Sequence, residues 1–130
     1  MVEQLIYIST APDLLREQVQ DILSVCAQNN EALGVTGLLL YNGRNFLQLL
    51  EGEGAVLAEL MAKIEVDPRH AGVTTLYRKD VAERACPNWS MRLIEIAADR
   101  AARREQVGQD LPRSLDTEAR KLALNFAVLN

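Results

Sequence analysis

The sequence predicts an α+β fold: a ferredoxin-like sandwich of order βαββαββ, with two helices on one face of a mainly antiparallel sheet. Three observations support this prediction. Short apolar segments typical of strands alternate with two longer segments whose apolar residues recur at helical spacing. The pair Asn42–Gly43 lies between two of the apolar segments and is a strong signal for a tight hairpin turn. The length of 130 residues suits one domain of this kind.

The first strand is predicted over 4–10, where an almost continuous apolar run indicates a strand covered on both faces. Thr10, Pro12 and Asp13 are typical of a helix start, since they supply a capping hydroxyl, a first-turn proline and an early acid. The helix is predicted to end before Gly34. The apolar residues of this helix share one stripe: Leu15, Val19, Ile22, Leu23 and Cys26.

The second and third strands are predicted over 35–41 and 46–50, on either side of the hairpin turn, and a turn over 51–54 ends the third strand. A second helix follows, with Val56, Leu57, Leu60, Met61 and Ile64 on its apolar face. The last two strands are predicted over 73–81 and 91–97. In a ferredoxin-like sheet the third strand lies beside the first, so their side chains should meet.

The C-terminal segment is different in character. A charged helix is predicted over 99–106, with Gly108 and Pro112 breaking it and Ser114 capping a last helix. One face of the last helix carries Leu115, Ala119, Leu122, Ala123 and Phe126. Two helices on one face leave the other face of a sheet bare, so we expect these tail helices to cover it, within the chain or in a partner.

Charge and composition exclude several functions. The net charge of −4 gives no basic surface for nucleic acid or an anionic membrane. No segment reaches the roughly 18 apolar residues of a membrane span, and the N-terminus lacks the features of a signal peptide. We therefore expect a cytoplasmic protein in which Cys26 and Cys86 are reduced. With His70 as the single histidine, no zinc site or catalytic His/Cys cluster is predicted, and no metal.

Three polar residues interrupt the apolar pattern. Gln48 lies between Phe46 and Leu50 on one face of its strand, because side chains alternate with a period of two. Tyr7 lies on the first strand, which is the expected neighbour, so it could contact Gln48. Asn30 continues the core-facing stripe of the first helix.

Each of the three also has an ordinary interpretation. Tyrosine is common in strands, and Asn29 and Asn30 near a helix end are often cap or turn residues. Gln48 is harder to explain, because a buried amide without partners costs about 1–3 kcal/mol. Together they indicate a pocket for the polar edge of a ligand, such as a ring with alternating carbonyls and nitrogens.

At this point the sequence resembles a known family, the BLUF domains, which are blue-light sensors that use a flavin. The similarity covers about residues 3–97, and from it we expect a flavin-binding domain over 1–97 and a helical extension over 98–130. The segments that carry the resemblance are 5–9, Asn30 with 34–41, 46–52, and 67–70 with 89–91.

The resemblance implies a role for each matching residue. Tyr7 matches the electron donor to the flavin, and Gln48 matches the glutamine that bridges this tyrosine and the flavin. Trp89 and Met91 match a pair on the fifth strand that responds to the glutamine. This set is photoactive rather than catalytic, because the flavin returns chemically unchanged.

The resemblance also implies a set of cofactor contacts. Asn30, with Asn29 beside it, matches the amide that holds the carbonyl edge of the flavin. Asp67 and Arg69 match polar positions near the outer ring and side chain of the flavin. The cofactor that the family usually binds is FAD.

Two other functions remain possible from the residues alone. The first is an acylphosphatase-like hydrolase on the same fold, for which Arg44 and Asn45 are the available residues, although no glycine-rich anion loop follows the first strand. The second is a colourless oligomerising module. For the photoreceptor we expect a signal passed to an unidentified downstream protein or through a homo-oligomer, with the tail as the contact.

Overall fold

The structure is a computed structural model that describes residues 2–12, 14–68, 71–96 and 99–129. Its strands are β1 (Val2–Thr10), β2 (Thr36–Tyr41), β3 (Asn45–Gly52), β4 (Ala71–Val81) and β5 (Arg92–Glu95). Its helices are α1 (Arg16–Leu33), α2 (Gly54–Glu65), α3 (Arg100–Asp110) and α4 (Thr117–Val128). The first seven elements therefore follow the predicted order βαββαββ.

The five strands form one sheet in the order β4-β1-β3-β2-β5. As predicted, β3 lies beside β1, and the two strands are antiparallel. The register places Tyr7 directly opposite Gln48. The parallel pair is β2 with β5. The ferredoxin-like prediction is confirmed, with β5 added at the edge of the sheet.

The helices cover both faces of the sheet. On one face α1 and α2 pack over residues such as Leu5 and Leu50. On the other face α3 and α4 pack over Ile6 and Leu49, and Phe126 of α4 is 4% exposed there. The expectation that the tail covers the bare face is confirmed within the chain. Cys26 and Cys86 belong to opposite faces and are not joined by a disulfide.

A glycine is required where β2 passes β3. A Cβ atom on Gly37 would lie 1.9 Å from the main-chain oxygen of Leu49, far inside any real contact. The Gly37 N–H also donates to the carbonyl of Trp89 at 2.9 Å. This hydrogen bond attaches the segment before β5 to β2.

The predicted start of the first helix is wrong. α1 begins at Arg16, well beyond Thr10 and Pro12, and Asp13 lies outside the described residues. The reason is Tyr41, whose hydroxyl donates to the Ala11 carbonyl at 2.7 Å and accepts from the Leu14 N–H at 3.1 Å. These bonds occupy main-chain groups that a helix would need for its first turn.

The predicted tail boundaries are also wrong. α3 runs through Gly108 to Asp110, so this glycine does not break the helix, which instead ends just before Pro112. Ser114 lies in a turn, and the cap of α4 is Asp116, whose carboxylate accepts from the Glu118 N–H at 3.2 Å. Within the described residues, no helix combines the length and apolar character needed to cross a bilayer.

Candidate functional site

A cleft lies between α1, α2 and the sheet, and it has apolar walls and a polar end. The apolar walls are Ile22, Val25, Leu39, Phe46, Leu60 and Ile64. The polar lining is Tyr7, Cys26, Asn29, Asn30, Gln48, Lys63 and Asp67. Concave apolar sites with a few convergent polar groups are typical of cofactor pockets.

The floor of the cleft carries a row of hydrogen bonds centred on Gln48. Tyr7 and Gln48 are 4% and 3% exposed, and the Tyr7 hydroxyl donates to Gln48 Oε1. On the other side, Gln48 Nε2 donates to the sulfur of Met91 at 3.4 Å. The β1–β3 register produces the first contact, because it sets the two residues directly across from each other on one face. The contact expected between Tyr7 and Gln48 is present.

Asn30 lies at the end of the cleft, in the last turn of α1, and is 2% exposed. Its Nδ2 donates to the carbonyl of Ser90 at 3.0 Å. The helix ends soon after, at Gly34, which adopts a left-handed conformation with φ 69°. A side-chain amide has two donor hydrogens and an acceptor oxygen, so the bond to Ser90 uses only part of its capacity.

The other residues expected to contact a cofactor are Asn29, Asp67 and Arg69. Asn29 and Asp67 both line the cleft, the first exposed and the second half-buried. Arg69 lies outside the described residues.

Trp89 and Met91 occupy different faces of the sheet. Both precede β5, which begins at Arg92, so the expectation that they lie on the fifth strand is wrong. The 86–91 segment forms a turn, and Trp89 packs towards the α3 and α4 side with the Arg92 guanidinium 4.6 Å from its ring centroid. Met91 is 7% exposed on the α1 and α2 side. Of the two, Met91 is the one in contact with Gln48.

Two participants were not found from the sequence. Lys63 lines the rim, where only its position next to Ile64 on the apolar stripe of α2 could have indicated it. The Ser90 carbonyl is a main-chain group, so no residue type signals it. The residues considered for a hydrolase lie elsewhere: Arg44 is exposed in the hairpin turn, and Asn45 accepts from the Thr10 hydroxyl at 3.1 Å.

Comparison with known proteins identifies the family. The sequence model of the BLUF family, described as sensors of blue-light using FAD, matches residues 2–92. The chain belongs to the BLUF family. BLUF domains are blue-light flavin sensors, and none of the similarities supports the acylphosphatase-like alternative.

Among its BLUF relatives, a photoactivated adenylate cyclase subunit beta from Euglena longa is 37% identical over 89 residues, which is 67% of this chain and 10% of the relative. The chain thus spans about a tenth of the length of such curated relatives.

Two solved structures represent the BLUF fold. Klebsiella pneumoniae BlrP1 with FMN and cyclic diGMP has a TM-score of 0.84 and 29% identity, over 98% of this chain and 34% of that chain. The dark-state structure of BlrB, a BLUF protein, has a TM-score of 0.68 and 30% identity, over 98% of this chain and 94% of that chain.

Proposed function

We propose that the chain is a blue-light photoreceptor that binds FAD non-covalently and converts light into a rearrangement of hydrogen bonds. The observation that carries this proposal is the row from Tyr7 through Gln48 to Met91 on the floor of the cleft. The row joins the redox-active phenol of Tyr7 to the amide of Gln48, which both donates and accepts. It then continues to Met91, which lies just before β5.

The lining of the cleft suits a flavin. The apolar side chains of α1 and α2 would hold a flat ring system, and the buried amides of Asn30 and Gln48 would supply hydrogen-bond partners to its carbonyl and N–H edge. Asn29, beside Asn30, is proposed to contact the flavin as well, and Asp67 and Arg69 are proposed to contact its outer ring and side chain. FAD is our proposal because the family description specifies it, and the FMN in the BlrP1 structure makes FMN the alternative.

A bound flavin supplies absorption of blue light and acceptance of an electron. Tyr7 is proposed to be the donor of both an electron and its hydroxyl proton to a bound flavin, and the proton would leave along the hydrogen bond to Gln48 Oε1. Both would return to Tyr7 while the hydrogen bonds of Gln48 stay rearranged until the dark state recovers, so no substrate is consumed, and we propose that the chain is not an enzyme.

Met91 fixes the orientation of the Gln48 amide in this row of hydrogen bonds. A thioether sulfur only accepts hydrogen bonds, so it holds Gln48 with Nε2 towards Met91 and Oε1 towards Tyr7. An exchanged orientation of the amide would bring Oε1 against the sulfur and lose that bond. A change in Gln48 therefore requires a change at Met91, at the entry to β5.

The signal is proposed to leave the flavin-binding part, 1–97, through the helical extension, 98–130. Its receiver is a second protein or another copy of the chain in a homo-oligomer, and we propose that the chain acts in the cytoplasm.

A titration of the purified chain with FAD in the dark, followed by blue light, tests the proposed function. We expect the wild type to bind FAD and to show a reversible red shift. In Asn30→Ala we expect roughly tenfold weaker FAD binding, because a buried polar edge loses a partner worth about 1–3 kcal/mol.

Asn125→Ala makes the same change on the exposed surface of α4 and should bind FAD as the wild type does. A wild type that binds no flavin would exclude the proposed function, and equal affinities in Asn30→Ala and Asn125→Ala would exclude the role of Asn30.

A further inference from the structure

The sheet buries a carboxylate on the face opposite the cleft. Glu51 is 0% exposed, and its side chain lies between Gln4 of β1 and Thr36 of β2 in one row across three strands. It accepts hydrogen bonds from Gln4 Nε2 at 2.7 Å and from the Thr36 hydroxyl at 3.2 Å. It also accepts from the main-chain N–H groups of Ala85 at 2.6 Å and Cys86 at 2.8 Å. A buried charge is tolerated only when it is satisfied in this way.

Glu51 therefore binds the start of the 84–91 segment. Arg84 reinforces the attachment, because its guanidinium donates to the Glu51 carbonyl at 3.1 Å and to the Gly34 carbonyl at 2.7 Å. Burial and the neighbouring Glu51 carboxylate raise the pKa of the Cys86 thiol well above its usual range.

The other end of the same segment is attached to the cleft. The carbonyl of Ser90 accepts from Asn30, and the sulfur of Met91 accepts from Gln48. One short segment thus contacts the two buried amides of the cleft on one face and Glu51 on the other.

From Glu51 the hydrogen bonds continue to α4. Gln4 Oε1 lies 3.3 Å from the Tyr77 hydroxyl, and the same hydroxyl lies 3.3 Å from Asp116 Oδ2. Asp116 caps α4 through the Glu118 N–H and pairs with Lys79 at 3.0 Å. Burial, and then the charge of Asp116, raise the pKa of Tyr77 to about 12, so the phenol keeps its proton.

The Tyr77 hydroxyl lies within hydrogen-bond distance of two acceptors. It carries one proton and stands at equal distance from Gln4 and Asp116, so it donates fully to only one of them at a time. Two arrangements of one hydrogen bond are the kind of discrete element through which separated sites are coupled.

We propose that Glu51 is a positioning residue that couples the 84–91 segment, through Gln4 and Tyr77, to the cap of α4. The inference rests on the proposed function, because the change it transmits is the one that light produces at Gln48. When Met91 moves with Gln48, the amides of Ala85 and Cys86 shift against Glu51. The Gln4 amide follows, and the preference of the Tyr77 hydroxyl between its two acceptors changes.

Amide hydrogen exchange of the FAD-loaded chain, in the dark and under blue light, tests this coupling. The flavin absorption spectrum is recorded on the same samples. We expect the wild type to show the red shift together with a light-dependent change in exchange at the first turn of α4, which includes the Glu118 amide.

Glu51→Gln keeps the shape of the side chain but replaces one acceptor oxygen with a donor. We expect it to retain the red shift, because Tyr7, Gln48, Met91 and the flavin-binding cleft are all unchanged, and to lose the light-dependent change at α4. Glu83→Gln makes the same chemical change on the exposed surface of the same loop and should retain both responses.

If Glu51→Gln does not fold, Tyr77→Phe tests the coupling to α4 instead. It leaves Glu51 and its partners in place and should retain the red shift but lose the response of α4. A red shift without any exchange change at α4 in the wild type overturns the coupling alone, as does an unchanged α4 response in a folded Glu51→Gln or in Tyr77→Phe. A wild type with no red shift contradicts the proposed function as well.

Discussion

Gln48→Leu is expected to give a protein that binds flavin but no longer responds to blue light. Leucine keeps the approximate volume of the side chain and the packing of the cleft floor. It removes both the acceptor for the Tyr7 hydroxyl and the donor to Met91. The measurement is the absorption spectrum before and after illumination, and we expect complete loss of the red shift with FAD still bound.

Gln28→Leu is the matched control for this substitution, because Gln28 is exposed on α1. It should cycle between the dark and lit spectra as the wild type does. A normal light–dark cycle in Gln48→Leu would contradict the mechanism even if the protein binds FAD.

Phe126→Asp is expected to destabilise the fold severely. Phe126 is 4% exposed between α4 and the sheet, and loss of a buried Phe side chain alone costs about 3–5 kcal/mol. A buried carboxylate adds a desolvation cost. Since domains have a total stability of roughly 5–15 kcal/mol, we expect a thermal midpoint lower by more than about 10 °C, or an unfolded protein.

Asn125→Asp introduces the same side chain one residue earlier, on the exposed side of α4. Its thermal unfolding curve should match that of the wild type. If Phe126→Asp and Asn125→Asp have the same thermal midpoint, the packing of α4 on the sheet contributes nothing to stability.

The fold was largely predictable because its signals are local. The Asn42–Gly43 turn makes β2 and β3 antiparallel neighbours, and the ferredoxin-like topology then brings β3 beside β1. Helix boundaries were less predictable, because they depend on distant partners. The Tyr41 hydroxyl lies on β2 but bonds to the main chain at Ala11 and Leu14, and α1 begins only at Arg16.

The buried polar residues likewise differ in how far the sequence predicts them. The pair Tyr7 and Gln48 was predictable, because the period of two gives the face and the topology gives the neighbour. Glu51 was assigned to a turn, because a carboxylate next to glycine is typical of one. It belongs to β3 because partners from β1, β2 and the 84–91 segment satisfy its charge, and the sequence does not show those partners together.

Trp89 shows a further limit. If Trp89 and Met91 both lay on a strand, they would share a face, because they are two residues apart. Instead the chain turns before β5 begins, and the two side chains lie on different faces. The turn follows from attachment to Gly37 and Asn30, which are distant in sequence.

The central claim is that the hydrogen bond between Tyr7 and Gln48 converts light into a structural change. The most direct test is the absorption spectrum of the FAD-loaded wild type and of Tyr7→Phe, each recorded in the dark, under blue light and again in the dark. Phenylalanine keeps the ring in place and removes the hydroxyl that donates to Gln48. We predict a reversible red shift in the wild type and no shift in Tyr7→Phe, with FAD bound to both. A reversible red shift of normal size in Tyr7→Phe would contradict the account.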